Sequence, residues 1–196
     1  FSVQRLCLEK TYKLVLEALL SDQGRVIVFA DFGGRIAPLI SELNQGRNLV
    51  LILDHHKAPA FTDARLHNLN PELFGLAGDR DVSASTTCYL FAAQMDPANL
   101  DQAAIATIGA VGDGFFAEGR LTGLNREAAQ AAVRQGALTV ETHAGAEIYH
   151  LTSRQGTLSC EALATNLDTL GAVGYYRNGP EMGIRVCLDG PDPASD

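Results

Sequence analysis

Five side chains of this sequence could do chemistry together, and each stands at the end of an apolar stretch. Asp54-His55-His56 follows the run Asn48 to Leu53. Asp31 follows Arg25 to Ala30 and precedes Gly33 and Gly34, while Asp113 follows Ala103 to Val111 between Gly112 and Gly114. Three acids and two imidazoles form an oxygen and nitrogen ligand set suited to a hard or borderline divalent ion. Adjacent histidines within a strand point to opposite sides and cannot easily share one metal. At a strand end, where the backbone turns, one can bind metal while the other faces a substrate oxyanion. The plainer readings are a solvent-exposed polar loop for the histidines and a turn or N-cap aspartate for Asp31.

The elements that must position these residues read as α/β. Strand and helix patterns alternate up to Gly114, predicting an open, mostly parallel sheet with helices on both faces. Ligand sites in such sheets form outside the carboxyl ends of the strands, where Asp31 and Asp54 would emerge. The pattern predicts a helix from Leu6 to Leu20 and another from near Ile36, carrying Leu39, Ile40 and Leu43 on one side. A short strand is expected over Ala64 to Leu69, then helices at Ser85–Gln94, Leu100–Val111 and Asn125–Gln135. Alanine and glycine would let the second of these lie close to the sheet, and Asn125 would cap the third. Glu147 to Leu151 fits a short strand or a helix, Ser159 to Leu170 a helix, and Gly183 to Leu188 a strand. Residues 1–136 read as the core, 137–190 as an extension of the same domain, and 191–196 as a linker-like tail.

The segments that carry this pattern resemble the DHH phosphoesterases, whose name is the triplet Asp54-His55-His56. Val28 to Gly33 resembles that family's second motif, and Ala110 to Asp113 its fourth. Asn70 to Gly75, Asp81-Val82-Ser83, Thr87 to Ala92 and Gly183 to Leu188 are similar to the archaeal RecJ-type single-strand nucleases in particular. The resemblance extends from about residue 25 to 190.

The resemblance implies a metal-dependent phosphodiesterase that hydrolyses single-stranded nucleic acid with two ions, manganese or magnesium. Asp31 would bridge the ions, and His55 and Asp113 would ligate one of them. His56 would face the scissile phosphate and stabilise its developing charge, with Asp54 behind, orienting an imidazole. One ion would lower the pKa of a water, and both would neutralise phosphate oxygens during in-line attack. The family's first motif, a histidine and two aspartates on the first strand, has no counterpart before Asp31: residues 1–24 hold Glu9, Glu17 and Asp22 but no histidine, and the later Asp79-Arg80-Asp81 reads as a loop. The chain is therefore expected to lack part of the metal site and the family's C-terminal domain, and to be inactive by itself. Two further readings stand beside this one. One is a phosphodiesterase of oligonucleotides or a cyclic dinucleotide; the other is a non-catalytic scaffold subunit of a replication complex, with replication or repair proteins as partners.

Composition bounds these readings. A length of 196 residues suits one α/β domain, and no apolar stretch is long enough to span a bilayer. A cytoplasmic protein without membrane contact is expected. Cys7, Cys88, Cys160 and Cys187 are widely spaced and read as reduced core residues. The net charge of −8 opposes simple nucleic-acid binding, leaving Lys57, Arg65, Arg80 and Arg177 as candidate phosphate contacts. Ser83, Ser85, Thr86 and Thr87 crowd a helix start, where hydroxyls can cap free N–H groups or hold a substrate phosphate. His143 and His150 lack a third ligand nearby, and His67 reads as a structural histidine.

Overall fold

The two apolar runs that deliver Asp31 and Asp54 become adjacent parallel strands. Val26–Ala30 (β1) lies beside Leu49–Leu53 (β2), Val26 opposite Leu49 and Ala30 opposite Leu53. Leu66–Leu69 (β3) extends the sheet in the order β1-β2-β3. The strands therefore run the same way and end together, which brings the residues after Ala30 and Leu53 to one edge. The computed structural model describes residues 3–6, 8, 12–116, 118–153 and 156–169.

One face of this sheet is packed. Leu16 and Leu20 of the helix Lys13–Leu20 (α1) and Ile40 of Ala37–Asn44 (α2) meet Ile27, Phe29, Val50, Ile52 and Leu66 in one core. The alternation buried–exposed along β1 follows from the two-residue period of a strand. The opposite face is not covered as expected. Val26 and Val28 are 68% and 52% exposed, so among the described residues helices do not flank β1 on both sides. The first helix also starts later than its pattern predicts, at Lys13 rather than Leu6. Residues 3–6 and 8 carry no helix, and the stripe that buries α1 begins only at Leu16.

A second core holds the remaining elements. Ala84–Met95 (α3), Ala103–Gly112 (α4) and Gly123–Arg134 (α5) pack together, α4 lying against both neighbours. The alanine and glycine content of α4 thus serves helix–helix contact, not contact with the sheet. At Gly109 an added Cβ would stand 2.5 Å from Ser85 Cβ. The stretch before α4, Pro97–Gln102, is a 3-10 helix, so the single helix expected from Leu100 is two elements.

The chain then forms an antiparallel sheet of Leu138–His143 (β4), Ala146–Ser153 (β5) and Gly156–Ser159 (β6). Leu138 and Tyr149 join Ala104, Ala128 and Cys160 in the same core as α4 and α5. Glu147 to Leu151 is accordingly strand, not helix. Residues 160–169 are helical; Leu170 and the strand expected over Gly183 to Leu188 lie outside the described residues. The cap of α5 also differs from expectation. Thr122 holds the N-cap position and Asn125 lies inside the helix, fully buried. Its Oδ1 accepts from Ser83 N–H at 2.9 Å, so a side chain that resembled a cap instead ties α5 to the start of α3. No helix among the described residues is long and apolar enough to cross a membrane.

Candidate metal centre

Asp31 leaves β1 with φ 68°, a left-handed backbone that L-residues seldom adopt, while its N–H still bonds Leu53 O at 2.9 Å. This turn throws its carboxylate over the sheet edge, where it is 63% exposed. Gly33, at φ 114°, completes the turn into the 3-10 helix Gly34–Ile36. Gly34 must be glycine for a steric reason. A Cβ there would stand 2.9 Å from both Asp54 Oδ2 and Asn70 Nδ2.

Asp54 is buried and fully engaged. Its Oδ2 accepts from Gly34 N–H at 2.8 Å, and its Oδ1 accepts from the N–H groups of His55 and His56 and from His56 Nδ1 at 2.8 Å. Burial alone would raise its pKa, but the His56 ring and the three backbone N–H groups outweigh it and hold the carboxyl below its usual range. The acid thus orients the half-exposed His56 ring and stiffens the turn that carries both histidines.

The His55 ring lies 4.3 Å from that of His56 but makes different contacts. Its Nδ1 lies 2.6 Å from Gly78 O, a group that can only accept, so Nδ1 carries the proton. Its Nε2 lies 3.3 Å from Asp31 Oδ1 and 3.5 Å from Asp113 Oδ2, yet it is buried without a hydrogen bond of good geometry. Phe115 packs 5.5 Å from the ring, centroid to centroid. Burial alone would lower the His55 pKa. The Asp31 carboxylate, the Gly78 carbonyl and Asp113 outweigh burial and push it up to about 9. Asp113, just past the end of α4, has its pKa raised by burial and by Asp31, against the pull of His55 and His56.

The donor set fits a divalent cation. Ligand atoms from Asp31, Asp54, His55 and His56 all lie within 4.8 Å of one another. Asp113 reaches the same point through His55 Nε2, and that orphaned nitrogen between two acids is where a cation would bind. All five residues singled out in the sequence therefore converge, from the ends of β1, β2 and α4.

Other expectations fare differently. Ser83 and Thr86 are buried, and Ser83 Oγ accepts from Thr86 N–H as the cap of α3. Ser85 Oγ donates to Ala106 O at 3.0 Å. Ser83 and Thr86 are thus enclosed in the start of α3, while Ser85 keeps part of its surface. His143 and His150 sit on paired strands but oppose Ala146 and Thr139, not each other. His67 is exposed on β3, and Arg80 is paired with Asp81 at 2.9 Å. Cys88 and Cys160 are free thiols; Cys7, Cys187 and Arg177 fall outside the described residues.

Sequence reasoning gave Asn70 and Gly78 no role at the centre. Asn70 is buried, donates from Nδ2 to His56 O at 2.8 Å and caps the 3-10 helix Pro71–Phe74. An Asn-Pro pair at a helix start was the available signal for it. Gly78 carried no local signal, because its role is a contact made 23 residues away in sequence.

No family model matches the sequence. Over 104 residues, 52% of this chain, it is 33% identical to uncharacterized protein MJ0831 of Methanocaldococcus jannaschii. The match takes in 22% of that archaeal protein's length.

Proposed function

We propose that this chain carries the metal centre of a DHH-type phosphodiesterase acting on single-stranded nucleic acid, with manganese or magnesium as its ions. The observation that carries the reading is the convergence of Asp31 and Asp113, from two different elements, on the unsatisfied Nε2 of His55. Asp31, His55 and Asp113 would hold the cation. Bound there, divalent ions supply a more acidic water and charge neutralisation at phosphate oxygens.

The protein's own groups divide the rest of the work. Asp54 fixes His56 through Nδ1, which leaves Nε2 of a half-exposed ring to meet a phosphate oxygen. In its protonated form that ring donates a hydrogen bond where negative charge develops, and Asp54 balances its charge. Lys57 and Arg35 stand exposed beside His56 and Gly34 and would meet the substrate backbone. An acidic chain with scattered cations also suits a short substrate, which keeps a cyclic dinucleotide as the second reading.

The test uses the gene product that carries this chain, incubated with manganese and a labelled single strand, the matching duplex, or a cyclic dinucleotide. Cleavage of the single strand alone is expected. Hydrolysis confined to the cyclic dinucleotide transfers the assignment to the second reading. No hydrolysis of any of the three, alongside normal manganese binding, removes the enzymatic reading and leaves a scaffold.

A further inference from the structure

The metal-binding nitrogen of His55 is set by a chain of contacts that begins outside the centre. Asn70 opens the 3-10 helix Pro71–Phe74, its Oδ1 accepting from Glu72 N–H at 3.1 Å. Gly75 closes that helix in a left-handed conformation, φ 78°, and turns the backbone back toward β2. Glu72 then spans the loop it has just started: its Oε1 accepts from Gly78 N–H at 2.8 Å. The carbonyl of the same glycine takes the His55 Nδ1 proton at 2.6 Å. The loop presses so closely on the histidine backbone that a Cβ on Gly78 would stand 1.8 Å from His55 O.

We propose that Glu72 is a positioning residue for the candidate metal centre, acting through Gly78 to fix the tautomer and direction of His55. The role rests on the metal reading above. Imidazole in its neutral form has one N–H, and the nitrogen facing an obligate acceptor keeps it. With the Gly78 carbonyl held in place, the lone pair is confined to Nε2, between Asp31 and Asp113. With that carbonyl free to swing away, either nitrogen can carry the proton, and a fraction of the protein presents N–H to the cation. A partner bonded directly to the ligand commonly changes metal affinity by about 10- to 100-fold, and Glu72, one hydrogen bond further out, should act at the lower end of that range. The carboxylate of Glu72 is needed only as an acceptor, so glutamine can replace it, whereas aspartate is too short to span the loop.

Three variants test this: Glu72→Ala, Glu72→Asp and Glu72→Gln. Each is labelled with nitrogen-15 at histidine and titrated with cadmium, a diamagnetic ion visible by its coupling to the ring. In the unmutated chain, cadmium is expected to couple to His55 Nε2 while the Nδ1 proton stays protected from solvent exchange. Glu72→Ala and Glu72→Asp should lose that protection and bind cadmium about tenfold more weakly. Glu72→Gln should keep both within about twofold of the unmutated chain by the same argument. A merely structural role would lower thermal stability without moving the Nδ1 proton. Unchanged protection and affinity in Glu72→Ala, or in Glu72→Asp should the alanine variant not fold, overturns the role. Absence of cadmium coupling to His55 in the unmutated chain overturns the metal centre itself, and the role with it.

Discussion

His55 in the metal-free protein holds a proton where a cation would sit, between Asp31 and Asp113. Its pKa of about 9, against an ordinary 6.5, makes the two occupants compete. Apparent manganese affinity should therefore climb with pH up to about 9, by roughly tenfold per unit, with about one proton released per ion bound. Calorimetry in buffers of different ionisation enthalpy at neutral pH checks this, and a release of no protons contradicts it. Stability of the metal-free fold should move the opposite way. A raised histidine pKa stabilises fully below 6.5, and that contribution is lost as pH rises through about 9. The two imidazoles should also separate by mutation. His55→Ala is expected to abolish metal binding, since it removes the nitrogen on which the acids converge. His56→Ala should leave affinity within about threefold and lower turnover, because its ring faces outward from Asp54. Equal loss of metal in both would reverse the assignment. These five residues were legible because each follows an apolar run. The Gly78 loop was not, since nothing local marks a carbonyl that returns across the chain.

Between elements, single buried polar groups do the joining. Asn125 of α5 accepts from both the N–H and the hydroxyl of Ser83, at 2.9 and 3.1 Å. Asn125→Ala leaves a buried N–H without a partner and should destabilise the protein by about 1–3 kcal/mol in urea unfolding. A cost below about 0.5 kcal/mol would show that the helices α3 and α5 are held by apolar packing alone. The parallel strands were readable from their β-branched and leucine runs, bounded by glycine and aspartate. The β4–β5 hairpin was not, because β4 buries only Leu138 and its other residues face solvent. The cap of α5 was misplaced for a related reason: asparagine signals a helix start by composition, and only the Ser83 contact shows it within the helix.

At the scale of the whole molecule, a cation that binds only the folded chain must stabilise it. Manganese at one hundred times its dissociation constant should add about 2.7 kcal/mol, seen as a rise in melting temperature that a chelator reverses. A melting temperature indifferent to manganese contradicts the centre. The backbone of Asp31 adds a consequence of another kind. Its φ of 68° is glycine's conformation held by a residue with a Cβ, and its carboxylate faces Asp113 across the protonated His55. The backbone costs the empty fold something that an ordinary turn would not, on the order of 1 kcal/mol, whereas the carboxylate stabilises the fold for as long as His55 keeps its proton. Above about pH 9, where His55 has lost its charge, Asp31→Gly should therefore melt higher than the unmutated protein in chelator and gain nothing when manganese is added. The site and the scaffold then have opposing preferences at one position, and selection for robustness alone would erase the acid that makes the position useful.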